Sequence, residues 1–335
     1  MSTLREIAKH AGVSVSTASM AVRDHRSINI KTKQRVWEAQ EKLGYRLNLR
    51  PRPVRAGVAS GVKNIVFLLV GRQFDDPVYT QVFQGVARMA EAHNGRLIFT
   101  PASLSQLHKG TFPSVIQNRE VDGIIVSGVY DEKAHRNLAK LGIPTVVFGN
   151  YKLGDEPWAA CEFNLSQGMH LLTKRLADLG HLNFGMLFRN IQTEYEIKLQ
   201  HWYLREINEG GYQNAGIALE SEHGSFLKAT HSLLDTPTRP TALVLATDTI
   251  VEDVYTACEQ KNLRIPEDIS IIAFGQNNYK VRPSLATVRS IGEDVGAIAT
   301  EKLIRLIENP ATIPTRELFP MCIVPGGSIA ALSGS

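Results

Sequence analysis

From Asn64 onward, short apolar runs alternate with stretches of helical spacing. NIVFLLV (64–70), RLIFT (96–100), DGIIVS (122–127) and PTVVF (144–148) form one series. HLNFGMLF (181–188), TALVLA (241–246) and DISIIAF (268–274) form a second. Each run is as short and unbroken as a strand buried on both faces requires. Helical stretches separate them, over about 78–93, 166–179, 194–209, 249–261 and 293–307. Alternating strands and helices imply parallel sheets with right-handed crossovers, and two such series imply two doubly wound lobes. The 335 residues are enough for large cores. In such sheets ligands collect at the carboxyl ends of the strands, and a cleft between two lobes suits a small molecule.

The first 45 residues follow another pattern. Thr3 and Glu6 have capping-box spacing at a helix start. Leu4, Ile7, Ala8 and Ala11 then recur on one helical face, and Gly12 supplies the left-handed residue that ends the helix. Ser14 can cap a second helix, in which Ala18, Ala21 and Val22 are small enough for close crossing. A third helix is expected over about 31–43, closed by Gly44, with Val36, Ala39 and Leu43 inward, Trp37 and Gln40 ambiguous, and Trp37 read as partly exposed packing. A helix, a glycine turn and a second helix make the all-α helix-turn-helix unit that enters a DNA major groove. A helical cap on another domain is the plainer reading, and charge decides against it. The first 60 residues hold 12 Lys/Arg against 4 Asp/Glu, whereas the rest hold 25 against 29, within a net +4. A basic module on a mildly acidic body implies a polyanion partner for that module alone.

Other classes find little support. Cys161, Cys258 and Cys322 are odd in number and far apart, which argues against a disulfide framework and for a reducing compartment. The opening MSTLREIAKH lacks a leader's apolar run, and no stretch approaches 18 apolar residues, so no membrane partner is expected. A secreted solute-binding protein would show the reverse of these features. An enzyme on this fold would show a nucleophile motif, a phosphate loop or a metal cluster. None is present, the ten histidines are scattered, and no cofactor is expected. His170 and His181 read as structural or surface residues. Asp248, after TALVLA, reads equally well as a carboxylate of a site or as the cap of the next helix.

AKHAGVSVSTAS (8–19), KQRVWEAQEKLGYRLN (33–48), VDGIIVSG (121–128), GIPTVVF (142–148), LGHLNFGML (179–187), ATD (246–248), LRIPEDISIIAFG (263–275) and LATVR (285–289) occur in order along the chain. Together they resemble the lactose-repressor family, over nearly the whole length. The resemblance implies a helix-turn-helix domain over 1–46, a hinge over 47–63 and a two-lobed, periplasmic-binding-protein-like α/β core over 64–330. It also implies a cytoplasmic, nucleoid-associated homodimer that binds a pseudo-palindromic operator in double-stranded DNA. A small effector, a sugar or other metabolite, would bind in the interlobe cleft.

By the same resemblance Val15, Ser16 and Met20 occupy base-reading positions. Two are apolar, which suits thymine methyl groups. The family often has Arg or a similar polar group where this chain has Met20. Ser14, Thr17 and Ser19 are short hydroxyls suited to phosphates, and Arg23 can reach a phosphate or a base edge. In the linker, Val54 aligns with a leucine that wedges into the minor groove. Pro51 and Pro53 disfavour helical geometry at Arg50 and Arg52. Two readings stand there. One is an extended arm placing Arg50 and Arg52, with Arg55 beyond, in a narrow minor groove; the other is a charged spacer.

For the effector, the resemblance points to Tyr79, Asn150, Lys198, Trp202, Thr247, Asp248 and Gln276. Gly149 and Gly275 stand where sugar-binding members often carry Asp, Lys198 stands for Arg, and Phe163-Asn164 for Asp-Asn. Carboxylates suit sugar hydroxyls, and Lys lacks the planar fork of Arg. The departures point away from a common hexose and leave open a less polar metabolite, an anion or no ligand.

Overall fold

The computed structural model describes residues 3–22, 27–43, 61–74, 76–154, 158–276 and 279–332. Their chain forms two compact units. One comprises Leu47–Phe163 with Ile291–Phe319, the other Met1–Arg46, Asn164–Ser290 and Pro320–Ser335. The lobes are therefore interleaved in sequence, with crossings at 163/164, 290/291 and 319/320.

The headpiece is α1 (Leu4–Ala11), α2 (Val15–Val22) and α3 (Ile30–Lys42). Both halves of the expected capping box form: Glu6 N donates to Thr3 Oγ1 at 3.3 Å and Thr3 N to Glu6 Oε2 at 2.6 Å. Gly12 takes φ 64°, and Ser14 Oγ accepts from Thr17 N at 3.0 Å. Asn29 caps α3 through Thr32 N at 2.8 Å. The core is Ile7, Ala8, Ala11, Ala18, Ala21, Val22, Val36, Ala39 and Trp37. Trp37 is not half-exposed as expected but 1% exposed, because its indole Nε1 donates to the Ala21 carbonyl at 3.1 Å and draws the ring under α2. Leu43 is only half-buried, and Gly44 lies outside the described residues.

The first lobe holds β1 (Lys63–Val70), α4 (Pro77–Ala92), β2 (Gly95–Ala102), α5 (Leu104–His108), α6 (Ser114–Gln117) and β3 (Gly123–Gly128). It continues with α7 (Glu132–Ala139), β4 (Thr145–Phe148), β5 (Ala159–Phe163), and later α13 (Gly292–Glu308) and β11 (Arg316–Phe319). The strand order is β11-β5-β4-β3-β1-β2, all parallel. Alternate β1 side chains face opposite layers. Ile65, Phe67 and Leu69 pack under α4 and α13, while Val66, Leu68 and Val70 pack toward Leu107, Ala134 and Leu138. Two glycines let α4 and α13 touch backbone to backbone. A Cβ at Gly85 would lie 2.0 Å from the Glu293 carbonyl oxygen, and one at Gly296 would lie 1.9 Å from that of Val82.

The second lobe holds α8 (Leu165–Asp178), β6 (Asn183–Phe188), α9 (Glu194–Gly210), β7 (Gln213–Leu219), α10 (Glu220–His223) and α11 (Phe226–Leu234). Then come β8 (Ala242–Leu245), α12 (Val251–Gln260), β9 (Ser270–Phe274), β10 (Ala286–Arg289) and β12 (Cys322–Val324). The order is β12-β10-β9-β8-β6-β7, parallel except at the β10–β12 edge, where the returning chain pairs antiparallel. Strands β5, β7, β10, β11 and β12 were not among the runs expected from apolarity. They are short, or they carry polar residues. Glu162 in β5 is buried because Arg316 of β11 donates to its carboxylate at 2.6 Å.

Candidate nucleic-acid interface and effector positions

On α2 the buried side is Ala18, Ala21 and Val22, so the opposite side faces outward. Val15 is 44% exposed, Ser14 and Ser16 are exposed, and Thr17, Ser19 and Met20 are half-buried. Ser16 and Met20 lie one helical turn apart. Ser14 Oγ is already engaged by Thr17, both as helix cap and by Thr17 Oγ1 at 2.8 Å, so its first duty is to start the recognition helix. Arg23, Arg50, Arg52, Val54 and Arg55 lie outside the described residues, as do both readings of the linker.

The effector positions fall into two groups, each at the carboxyl ends of its own sheet. In the first lobe, Tyr79 opens α4 beyond β1. Burial pushes its phenol up to about 12, against the pull of the Arg72 guanidinium that hydrogen-bonds it. Asn150 follows β4. Its amide is clamped to the end of β5, donating to the Phe163 carbonyl at 2.9 Å and accepting from Phe163 N at 3.2 Å. Ser127 donates to the Phe148 carbonyl at 2.8 Å. Next to Asn150, the hydroxyl of the half-buried Tyr151 donates to Gly128 O at 2.7 Å. Its ring also explains Gly149: a Cβ there would fall 2.6 Å from Tyr151, at φ 130°.

In the second lobe, Lys198 and Trp202 are half-buried on α9. Lys198 pairs with Glu194 at 3.7 Å, and the Arg205 guanidinium lies 5.1 Å from the Trp202 ring centre. The cap after β8 is Thr247, whose Oγ1 accepts from Thr249 N at 3.3 Å, so the capping alternative for Asp248 does not hold. Asp248 instead lies buried against Gly275. A Cβ at 275 would stand 2.1 Å from Asp248 Cγ, so the carboxylate absent at 275 is replaced in space by that of 248. Gln276 is buried. Its backbone carbonyl accepts from Arg289 at 3.4 Å, while its side-chain Oε1 meets no donor. Asn164 Oδ1 caps α8 through Gln167 N at 3.1 Å, but its Nδ2 is buried without an acceptor. Buried polar atoms left unmet cost about 1–3 kcal/mol each, so both positions favour a ligand or water that supplies the missing partner.

Tyr151, Arg72, Ser127 and Arg289 were not singled out from sequence. Their signal is position: each sits at or just after a strand's carboxyl end. Among the described residues no group of three or more His, Cys, Asp or Glu is placed to hold a metal ion. No helix there is long and apolar enough to cross a membrane.

A basic three-helix headpiece with an outward recognition helix, carried on two parallel-sheet lobes, defines a ligand-responsive DNA-binding class. Residues 3–48 match the bacterial regulatory proteins of the lacI family, and residues 173–329 match the periplasmic binding protein-like domain. The chain thus pairs a lacI-type DNA-binding domain with a periplasmic-binding-protein-like domain. It is 26% identical to the ribose operon repressor of Haemophilus influenzae, covering 97% of this chain and 98% of that one. It is 25% identical to catabolite control protein A of Priestia megaterium, over 90% and 92%. Its fold matches a transcriptional regulator CelR–cellobiose complex with TM-score 0.69 at 18% identity, over 98% of this chain and 100% of that one. It also matches a lac repressor dimer bound to operator, with TM-score 0.68 at 18% identity over 98% and 99%.

Proposed function

We propose that this protein represses transcription as a homodimer, reading a pseudo-palindromic operator with two copies of α2 and answering to a small metabolite. The observation that carries the reading is the division of α2. Three small residues lock it onto α1 and α3, while Val15, Ser16 and Met20 face outward on a basic module. Val15 and Met20 suit thymine methyls, and Ser16 suits either a base edge or a phosphate. Ser14, Thr17, Ser19 and Arg23 set the register on the backbone. Arg50, Arg52, Val54 and Arg55 extend the contact into the minor groove between half-sites. One headpiece offers few contacts, so a dyad of two supplies both affinity and half-site spacing. The protein works in the cytoplasm at the nucleoid, and no catalytic activity is assigned. The functional segments are the headpiece over 1–46, the hinge over 47–63 and the core over 64–330.

The effector is held by Tyr79, Asn150, Lys198, Trp202, Thr247, Asp248 and Gln276. Gln276 Oε1 and Asn164 Nδ2 seek one donor and one acceptor on it. Glycine at 149 and 275 leaves Tyr151 and Asp248 to shape the places where paired carboxylates would otherwise grip a hexose. The test is selection of bound fragments from a genomic library, then mobility shift on the recovered duplex. The reading expects a dyad-symmetric site and a log–log salt slope of about −0.9 per phosphate neutralised. Recovery of no common sequence would overturn it. For the effector, a metabolite that raises the melting temperature should lose that effect in Lys198→Ala. An unaltered shift removes Lys198 from the site.

A further inference from the structure

The third headpiece helix does more than close the DNA-binding module. Its outer side is packed on α8 of the second lobe; two polar contacts join α3 to α8 and a third joins it to β12. Gln167 Nε2 donates to Gln40 Oε1 at 3.2 Å, while Gln167 Oε1 accepts from the backbone N of Met321 at 3.0 Å. His170 stands between two carboxylates, with Nε2 3.2 Å from Glu38 of α3 and Nδ1 3.1 Å from Glu206 of α9. The Glu41 carboxylate meets the backbone N–H of Ile323 in β12. The Trp37 ring covers His170, with centroids 6.1 Å apart. Gln40, Gln167 and His170 are all buried. Bridged and buried glutamines with a two-carboxylate histidine specify a geometry, unlike a chance surface touch.

Where this contact falls gives it meaning. Gln167 lies three residues past the first crossing, and Met321 just past the third. The headpiece is thus bonded beside two of the chain crossings between the lobes.

We propose that the α3–α8 contact is an autoinhibitory latch: it pins the headpiece to the second lobe in the DNA-free protein and releases it for operator binding. Operator binding sets two headpieces at a fixed half-site spacing. The dock leaves the α2 reading face outward, so what the latch restricts is the placing of two headpieces at that spacing; on this proposal the apparent dissociation constant is the intrinsic one divided by the unlatched fraction. This regulation rests on the DNA-binding reading above and goes beyond it.

The latch is also proton-dependent. Burial alone would lower the His170 pKa, but its bonds to Glu206 and Glu38 outweigh this and push it up to about 9. Five other ionisable groups act on this cluster, among them Arg175 of α8, which pulls Glu41 down. Lys174 of α8 attracts Glu38, Asp178 holds Lys174 at 3.1 Å, and Tyr212 feels both glutamates, as well as Lys174 and Asp178. Glu41 is raised by burial at the β12 end of the dock. Glu206 stays beside His170 when the headpiece leaves, so only the share of the rise that Glu38 contributes supports the dock, and that share is lost as pH rises through about 9.

The test uses the full chain without DNA, then with the selected duplex. His170→Gln keeps one hydrogen bond and removes the charge. Expected are at least tenfold faster amide exchange across α3, with α13 of the first lobe unchanged, and threefold to tenfold tighter operator binding. Wild-type affinity should rise relative to the variant between pH 8 and 10. Unchanged α3 exchange, or binding that is equal or weaker, overturns the latch. Should His170→Gln fail to fold, Gln40→Ala removes the Gln167 bond from the headpiece side, with the same expectations. If wild type binds no duplex, the DNA-binding reading fails, while α3 exchange alone still decides whether the dock exists.

Discussion

At the scale of single residues, local chemistry decides what can be read from sequence. Thr3, Glu6, Gly12 and Ser14 were legible as helix signals because a cap involves only atoms within four residues. Ser14→Ala should lower headpiece stability by about 1 kcal/mol, readable by chemical denaturation, and weaken operator binding with it. Trp37 was not legible, since its burial depends on the carbonyl of Ala21 sixteen residues away. Trp37→Phe removes the donor and leaves that carbonyl facing a void, at a cost of about 1–3 kcal/mol in the same assay. The effector positions were legible only as places after strands. That Asp248 fills the space beside Gly275 needed coordinates. Gly275→Ala should therefore displace Asp248 and lower the melting temperature, whereas an unchanged melting curve would show the site yields without cost.

Among the elements, strands buried on both faces announced themselves as apolar runs, and helices between them by spacing. The unannounced strands fail that rule for physical reasons. β5 carries Glu162, paired with Arg316 from a segment more than 150 residues later. β7 begins with polar Gln213 and Asn214 at a sheet edge, and β12 is three residues long. Sequence order also hid that α13 belongs to the first lobe, because it follows the second lobe's strands. Its contact with α4 rests on Gly85 and Gly296. Gly296→Ala has no room against the Val82 carbonyl, and overpacking of this kind costs about 1–3 kcal/mol. Thermal unfolding should show the loss, while a control alanine at the half-buried Gly110, with open space around it but φ 71°, should cost only the local strain.

Across the whole molecule, charge separates two jobs: a front end with an excess of cations and a body with a slight excess of anions. That asymmetry lies in the sequence itself and is the strongest argument for DNA. What sequence could not show is that the cationic part also leans on the second lobe through Glu38 and Glu41, two of its four carboxylates, and Gln40. The pairing of His170 holds the Glu38 carboxyl below its usual range, so acid should loosen the dock as well, once pH falls through that lowered value. α3 exchange should then be slowest in the neutral range and faster on both sides. The most direct measurement of the central claim is stoichiometry on selected DNA: analytical ultracentrifugation of the protein on the duplex recovered from a genomic library. Two chains on one dyad-symmetric duplex, with Met20→Ala relaxing the preference at matching positions in both half-sites, is the predicted result. One chain per duplex, or equal binding to any sequence at low ionic strength, would contradict it.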